Sequence, residues 1–110
     1  MVTKKEVKAI LQNAIRFFGE KEQIAMCMEE CAELIQACSK YLRDDSGGKN
    51  TEDSVVEEIA DVEIMIKQVK IILNNNNKDK KCIAFKSVRI MKMQKLAKLK
   101  KYLHDVGAAD

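Results

Sequence analysis

The segment Gln23-Ile24-Ala25-Met26-Cys27-Met28-Glu29-Glu30-Cys31-Ala32-Glu33-Leu34-Ile35 decides the fold class. Ile24, Cys27, Met28, Cys31, Leu34 and Ile35 return at intervals of three and four residues, the period of an α-helix and not the alternation of a strand. The pattern runs on through Cys38, Tyr41 and Leu42, so a helix is expected over 20–42. Gly19 separates it from an earlier helix over 3–18, whose stripe is Val7, Ile10, Leu11, Ala14, Ile15 and Phe18. Thr3 and Glu6 form the Thr-x-x-Glu pattern of a capping box at its start. A third helix is expected over 51–73, capped by Thr51 or Asn50, with Glu52 and Asp53 at the positive end of its dipole. A fourth is expected over 83–103, with Val88, Met91, Leu96, Leu99 and Leu103 as its apolar seam. Four helices with short links predict an all-α protein, a four-helix bundle forming one domain over 1–110. The link 43–50, containing Asp44, Asp45, Ser46, Gly47 and Gly48, is expected to be a mobile loop over a site. Residues 74–81 form a polar break.

Composition supports the same class. The 110 residues include no proline, no tryptophan and only four glycines, far too few turn formers for a β-sandwich or barrel. Hydrophobic residues make up 46% and charged residues 34%, which excludes a disordered chain. No uncharged apolar stretch is long enough to span a membrane, and no apolar block follows the N-terminus as a secretory signal would require. Four cysteines (Cys27, Cys31, Cys38 and Cys82) contain no Cys-x-x-Cys pair, and His104 is the only histidine, so a zinc site is not expected. Reduced thiols in a cytoplasmic protein are expected instead. Residues 64–73 are apolar on more than one face, and a helix of that kind needs two neighbours, one of them a second subunit.

The net charge of +3 hides a division. Residues 1–77 carry ten Lys/Arg against fourteen Asp/Glu, whereas residues 78–101 carry ten Lys/Arg against Asp79 alone. An acidic body with a basic final helix suits a site for a metal ion and a phosphate. It also suits a nucleic-acid binder with an acidic back.

The carboxylates favour the first of these. Glu30 and Glu33 are three residues apart on the second helix, and Glu58 and Asp61 repeat that spacing on the third. Each pair projects from one side of its helix, among residues otherwise suited to a core. Two such pairs facing each other would collect four negative charges in a partly dry space, raising their proton affinity. A hard divalent cation such as Mg²⁺, which takes carboxylate oxygens together with waters and substrate phosphates, would remove that conflict.

The stretch Glu29-Glu30-Cys31-Ala32-Glu33-Leu34, followed after a spacer by Glu57-Glu58-Ile59-Ala60-Asp61-Val62, resembles the signature of the MazG-like all-α nucleoside triphosphate pyrophosphohydrolases. Their pattern is E-x-x-E, a variable spacer, then E-x-x-D; here the spacer is residues 34–57. The likeness covers about residues 20–73 well and the final helix loosely. It implies hydrolysis of a (deoxy)nucleoside triphosphate between the α and β phosphates, giving monophosphate and pyrophosphate in a nucleotide-pool house-cleaning role. It also implies a homodimer or homotetramer. Carried across by position, Glu30, Glu33, Glu58 and Asp61 would hold Mg²⁺, or Mn²⁺ in its place, with Glu30 or Glu33 as the catalytic base. Gln23, two turns before Glu30 on the same face, is a candidate base reader. Lys95 and Lys98 match the family's basic positions, although Lys98 stands where arginine is commoner, which loses bidentate phosphate binding. Glu29 and Glu57 are expected to point elsewhere.

Two other classes compete with this one. A helical nucleic-acid binder would use the basic final helix, but it would leave the acidic pairs without a role and has only Phe85 and Tyr102 nearby for stacking. Nucleic acid is therefore not the expected partner. A non-catalytic partner-binding relative would be expected to have lost at least one of the four acids.

Overall fold

The computed structural model describes residues 1–44, 48–77 and 83–108. These residues form four helices and no strand: α1 (Lys4–Phe18), α2 (Glu20–Arg43), α3 (Lys49–Asn75) and α4 (Ile83–Asp105). The all-α expectation is borne out. The chain divides into two compact units, Met1–Ile72 and Leu73–Asp110, the division falling near the end of α3.

The first unit starts where the sequence pattern places it. The Thr3 hydroxyl accepts the Glu6 N–H at 3.1 Å. It also donates to the Glu6 carboxylate at 3.1 Å, so the second arm of the capping box closes on the hydroxyl and not on the Thr3 backbone. Gly19 alone joins α1 to α2. Its N–H donates to the Ile15 carbonyl and its carbonyl accepts from the Gln23 N–H. It does so at φ 95°, ψ 151°, a conformation essentially reserved for glycine.

Leu11 and Ile15 of α1, Ala37 of α2, and Val62, Met65, Ile71 and Ile72 of α3 are buried, Ile72 most completely at 1% exposure. The inward line of α2 is Gln23, Cys27, Glu30, Leu34 and Ala37. It contains a glutamine and a glutamate, whereas Ile24, Met28, Ile35, Tyr41 and Leu42 are exposed. The apolar face expected of α2 is thus split between an inward side and a solvent side. In α3 one apolar face turns inward, while Ile64, Ile66 and Leu73 remain exposed.

The start of α3 differs from the expectation. The helix begins at Lys49, and the Gly48 carbonyl accepts the Glu52 N–H at 3.4 Å. The Thr51 hydroxyl does not cap; it donates to Asp44 Oδ2 at 2.9 Å and contacts the Gly48 carbonyl at 2.8 Å. The same Asp44 oxygen accepts the Gly48 N–H at 3.0 Å. Asp44 therefore ties both ends of the link together, because one carboxylate offers enough lone pairs for both donors. Residues 45–47, which carry the expectation of a mobile loop, lie outside the described residues.

In the second unit, the Asn74 side-chain oxygen accepts the Ala84 N–H at 2.6 Å. It thus satisfies one of the orphan donors in the first turn of α4. At the other end Ala108 N–H reaches the Leu103 carbonyl and Gly107 N–H the His104 carbonyl, the paired bonds of a Schellman motif. Gly107, at φ 76°, supplies the left-handed residue that this motif needs. Of the expected α4 seam only Val88 is half-buried; Met91, Leu96, Leu99 and Leu103 are exposed. A single helix cannot bury its own seam. No helix among the described residues is long and apolar enough to cross a membrane.

Candidate metal centre

Helices α2 and α3 run antiparallel within the first unit. Gln23 near the start of α2 meets Gln68 near the end of α3, and Glu30 further along α2 meets Glu58 earlier on α3. This arrangement brings the two E-x-x-acid pairs face to face. Glu30, Glu33 and Glu58 each offer a carboxylate oxygen, and the three oxygens lie within 4.8 Å of one another. Glu30, Glu58 and Asp61 are half-buried and Glu33 is exposed.

The electrostatics follow from the crowding. Burial pushes the Glu30 carboxyl above the ordinary carboxylate range, and the charges of Glu33, Asp61 and Glu58 push it further. Burial likewise raises Glu58, followed by the charges of Glu33, Asp61 and Glu57. Glu33 is the nearest-acting neighbour of both, the first charge after burial to raise each of them. Asp61, though outside the tight trio, is close enough to act on both. Glu29 and Glu57 are exposed, as expected, but the charge of Glu57 still reaches Glu58.

The donor set fits a hard cation. Glu30 Oε2 and Glu58 Oε2 are enclosed by protein, yet neither has a hydrogen-bond partner. An enclosed carboxylate oxygen without a partner is rare and calls for an explanation. Here both orphans sit on residues of one all-oxygen cluster with no histidine or thiol in it, the ligand chemistry of Mg²⁺ or Mn²⁺.

The remaining candidates are distributed differently. Gln23 is buried at 6% exposure and its amide donates to Gln68 Oε1 at 2.6 Å, inside a core-facing pair. Gln68, 4% exposed, passes its own amide N–H to the Met65 sulfur at 3.5 Å. The sequence reading missed Gln68. Its signal was available: Gln68 follows Asp61 by seven residues, just as Glu30 follows Gln23 by seven, the mirror pattern of an antiparallel pair. Lys95 and Lys98 are exposed on α4, in the second unit. Comparison of the chain with family models, with curated proteins and with solved structures found no match to any of them.

Proposed function

We propose that this protein is a Mg²⁺-dependent nucleoside triphosphate pyrophosphohydrolase of the MazG-like kind. It would cleave a (deoxy)nucleoside triphosphate between its α and β phosphates, clearing unwanted nucleotides from the pool. One observation carries the reading. Glu30 and Glu58, each with an enclosed, partnerless carboxylate oxygen, meet in a cluster whose acids follow the E-x-x-E and E-x-x-D spacing.

In this reading Glu30, Glu33, Glu58 and Asp61 hold the cation. Bound there, Mg²⁺ would neutralise triphosphate charge and make water easier to ionise. Glu33, the exposed member of the cluster, or Glu30 beside it accepts the proton of the water that attacks the α-phosphorus. The bond from that phosphorus to the α–β bridging oxygen breaks, and pyrophosphate leaves with the electron pair. Half-burial of Glu30, Glu58 and Asp61 limits competition from bulk water for the cation. The exposed apolar residues Ile64, Ile66 and Leu73 of α3 support assembly as a homodimer or homotetramer.

The test is a pyrophosphate-release screen over the eight common ribo- and deoxyribonucleoside triphosphates and dUTP, with Mg²⁺ or with EDTA. Glu33→Gln and Asp61→Asn serve as controls. Mg²⁺-dependent pyrophosphate release, lost in both variants, supports the reading. Release of single phosphate breaks the α–β assignment. A second reading, binding of nucleic acid, draws on the exposed row Lys86, Arg89, Lys92, Lys95, Lys98 and Lys100 of α4. Salt-sensitive DNA binding that is lost on charge reversal along this row, without any hydrolysis, would favour it.

A further inference from the structure

Along the flank of α2, beside Val69 of α3, lies an open apolar groove of about 450 Å³, lined by Ile24, Cys27, Met28, Cys31, Ile35 and Val69 among others. Two of its lining groups are thiols. Cys27 and Cys31 are one helical turn apart, both half-buried, and close enough that Cys31 adds to the raised proton affinity of Cys27. Neither forms a disulfide. The proposed pyrophosphohydrolase chemistry makes no use of them.

Their spacing selects what can join them. Side chains at i and i+4 of a helix have Cβ atoms about 5–6 Å apart. A disulfide needs roughly 3.5–4.5 Å. Closing an S–S bond would therefore distort α2. A bridging atom with bonds to sulfur of roughly 2.3 Å, the length of a zinc–thiolate bond, fits the wider gap without distortion. Zinc itself would want four ligands, and the groove offers two thiols, the Met28 thioether and hydrocarbon. A soft, three-coordinate centre suits it better, because two positions go to sulfur and the third carries the centre's own substituent along the apolar wall.

We propose that Cys27 and Cys31 form a dithiol site for trivalent arsenic, in the form of arsenite or an organoarsenical. The capture is a condensation without redox change. For an arsenic oxide R–As=O, two S–H bonds break, two As–S bonds form, and the oxygen leaves as water with both protons. Burial and the neighbouring Cys31 push the Cys27 thiol up, which makes it a poor nucleophile towards single-site reagents at neutral pH.

The test uses the full chain carrying Cys38→Ser and Cys82→Ser, with phenylarsine oxide as the probe. Intact-mass measurement should show one phenylarsenic per folded chain, with both remaining thiols lost to thiol titration. The adduct should be reversed by a dithiol such as 2,3-dimercaptopropanol and resist an equal concentration of a monothiol. Adding Cys31→Ser, with folding checked by circular dichroism, should weaken capture roughly a hundredfold, the usual worth of a second tethered contact. Capture that consumes one thiol, equal affinity after Cys31→Ser, or reaction only once urea has unfolded the chain would each overturn the proposal. None of these readouts requires nucleotide turnover.

Discussion

Helices α2 and α3 share two polar layers, and the layers behave oppositely. One is the Gln23–Gln68 pair, fully buried and closed by a 2.6 Å hydrogen bond. The other, seven residues along each helix and so about 10 Å away, is the cluster of Glu30, Glu33, Glu58 and Asp61. The amides satisfy each other because each glutamine carries both a donor and an acceptor. Ionised carboxylates carry only acceptors. The acid layer has a donor of its own only where a carboxyl is protonated, and burial together with the neighbouring charges makes Glu30 and Glu58 hold their protons more tightly than usual. One layer is finished by the chain, whereas the other is left open by it, and in the proposed function a cation would finish it. A buried polar layer completed within the chain holds its two helices in register; one left incomplete is where the proposed function would place its cation.

The sharpest way to break this contrast is through turnover. Glu33→Gln and Asp61→Asn should each lower Mg²⁺-dependent pyrophosphate release by about 100-fold or more, the scale of losing a catalytic base or a metal ligand. Steady-state rates on the preferred triphosphate measure this. Activity that survives both substitutions would reduce the acid layer to a charged patch.

The next effect concerns the amide layer. Gln68→Ala leaves the buried Gln23 amide without its acceptor, which costs about 1–3 kcal/mol in addition to the loss of packing. Urea denaturation should show a lower midpoint with little change in slope. A variant as stable as the wild type would mean that the pair contributes nothing to holding α2 on α3.

Much of this architecture was legible in the sequence. The four helices follow from apolar periodicity, and the meeting of Glu30 with Glu58 follows from matched spacing on consecutive helices. What escaped notice depends on long-range choices that periodicity does not encode. Gln23 and Gln68 are 45 residues apart, and each looks unremarkable alone. The start of α3 moved from Thr51 to Lys49 because Asp44, seven residues before Thr51, captured the hydroxyl expected to cap the helix. Asn74, read as part of a polar break, lies inside the last turn of α3 and accepts a bond from the first turn of α4 ten residues away. Local pattern identifies the elements, while polar side chains choose partners only after the elements have met.

Cation binding separates the layers by a smaller margin. Mg²⁺ at ten times its dissociation constant should stabilise the folded protein by about 1.4 kcal/mol. Thermal denaturation in Mg²⁺ and in EDTA at pH 8 measures the difference. The gain should shrink towards pH 5 as protons compete for Glu30 and Glu58, and Asp61→Asn should reduce it. An equal gain at both pH values would place the ion away from these carboxylates.

The smallest effect is the most diagnostic, because it changes the sign usually expected of a mutation. A carboxyl with a raised proton affinity in the folded state contributes stability that is fully present below its unfolded pKa, near the ordinary 4.5. That contribution is lost as pH rises through the raised folded value, since the folded state must then give up a proton that it holds more tightly than the unfolded chain does. Without metal, the wild type should therefore lose stability from pH 4.5 upward on account of Glu58. Glu58→Gln removes the charge, keeps the shape and gives the cluster a donor. In EDTA at pH 8 the variant should be more stable than the wild type, with the advantage fading towards pH 4.5, by urea denaturation at both pH values. A loss of stability at pH 8 would mean that the Glu58 carboxylate is already satisfied within the chain, which would make the acid layer a second version of the amide layer.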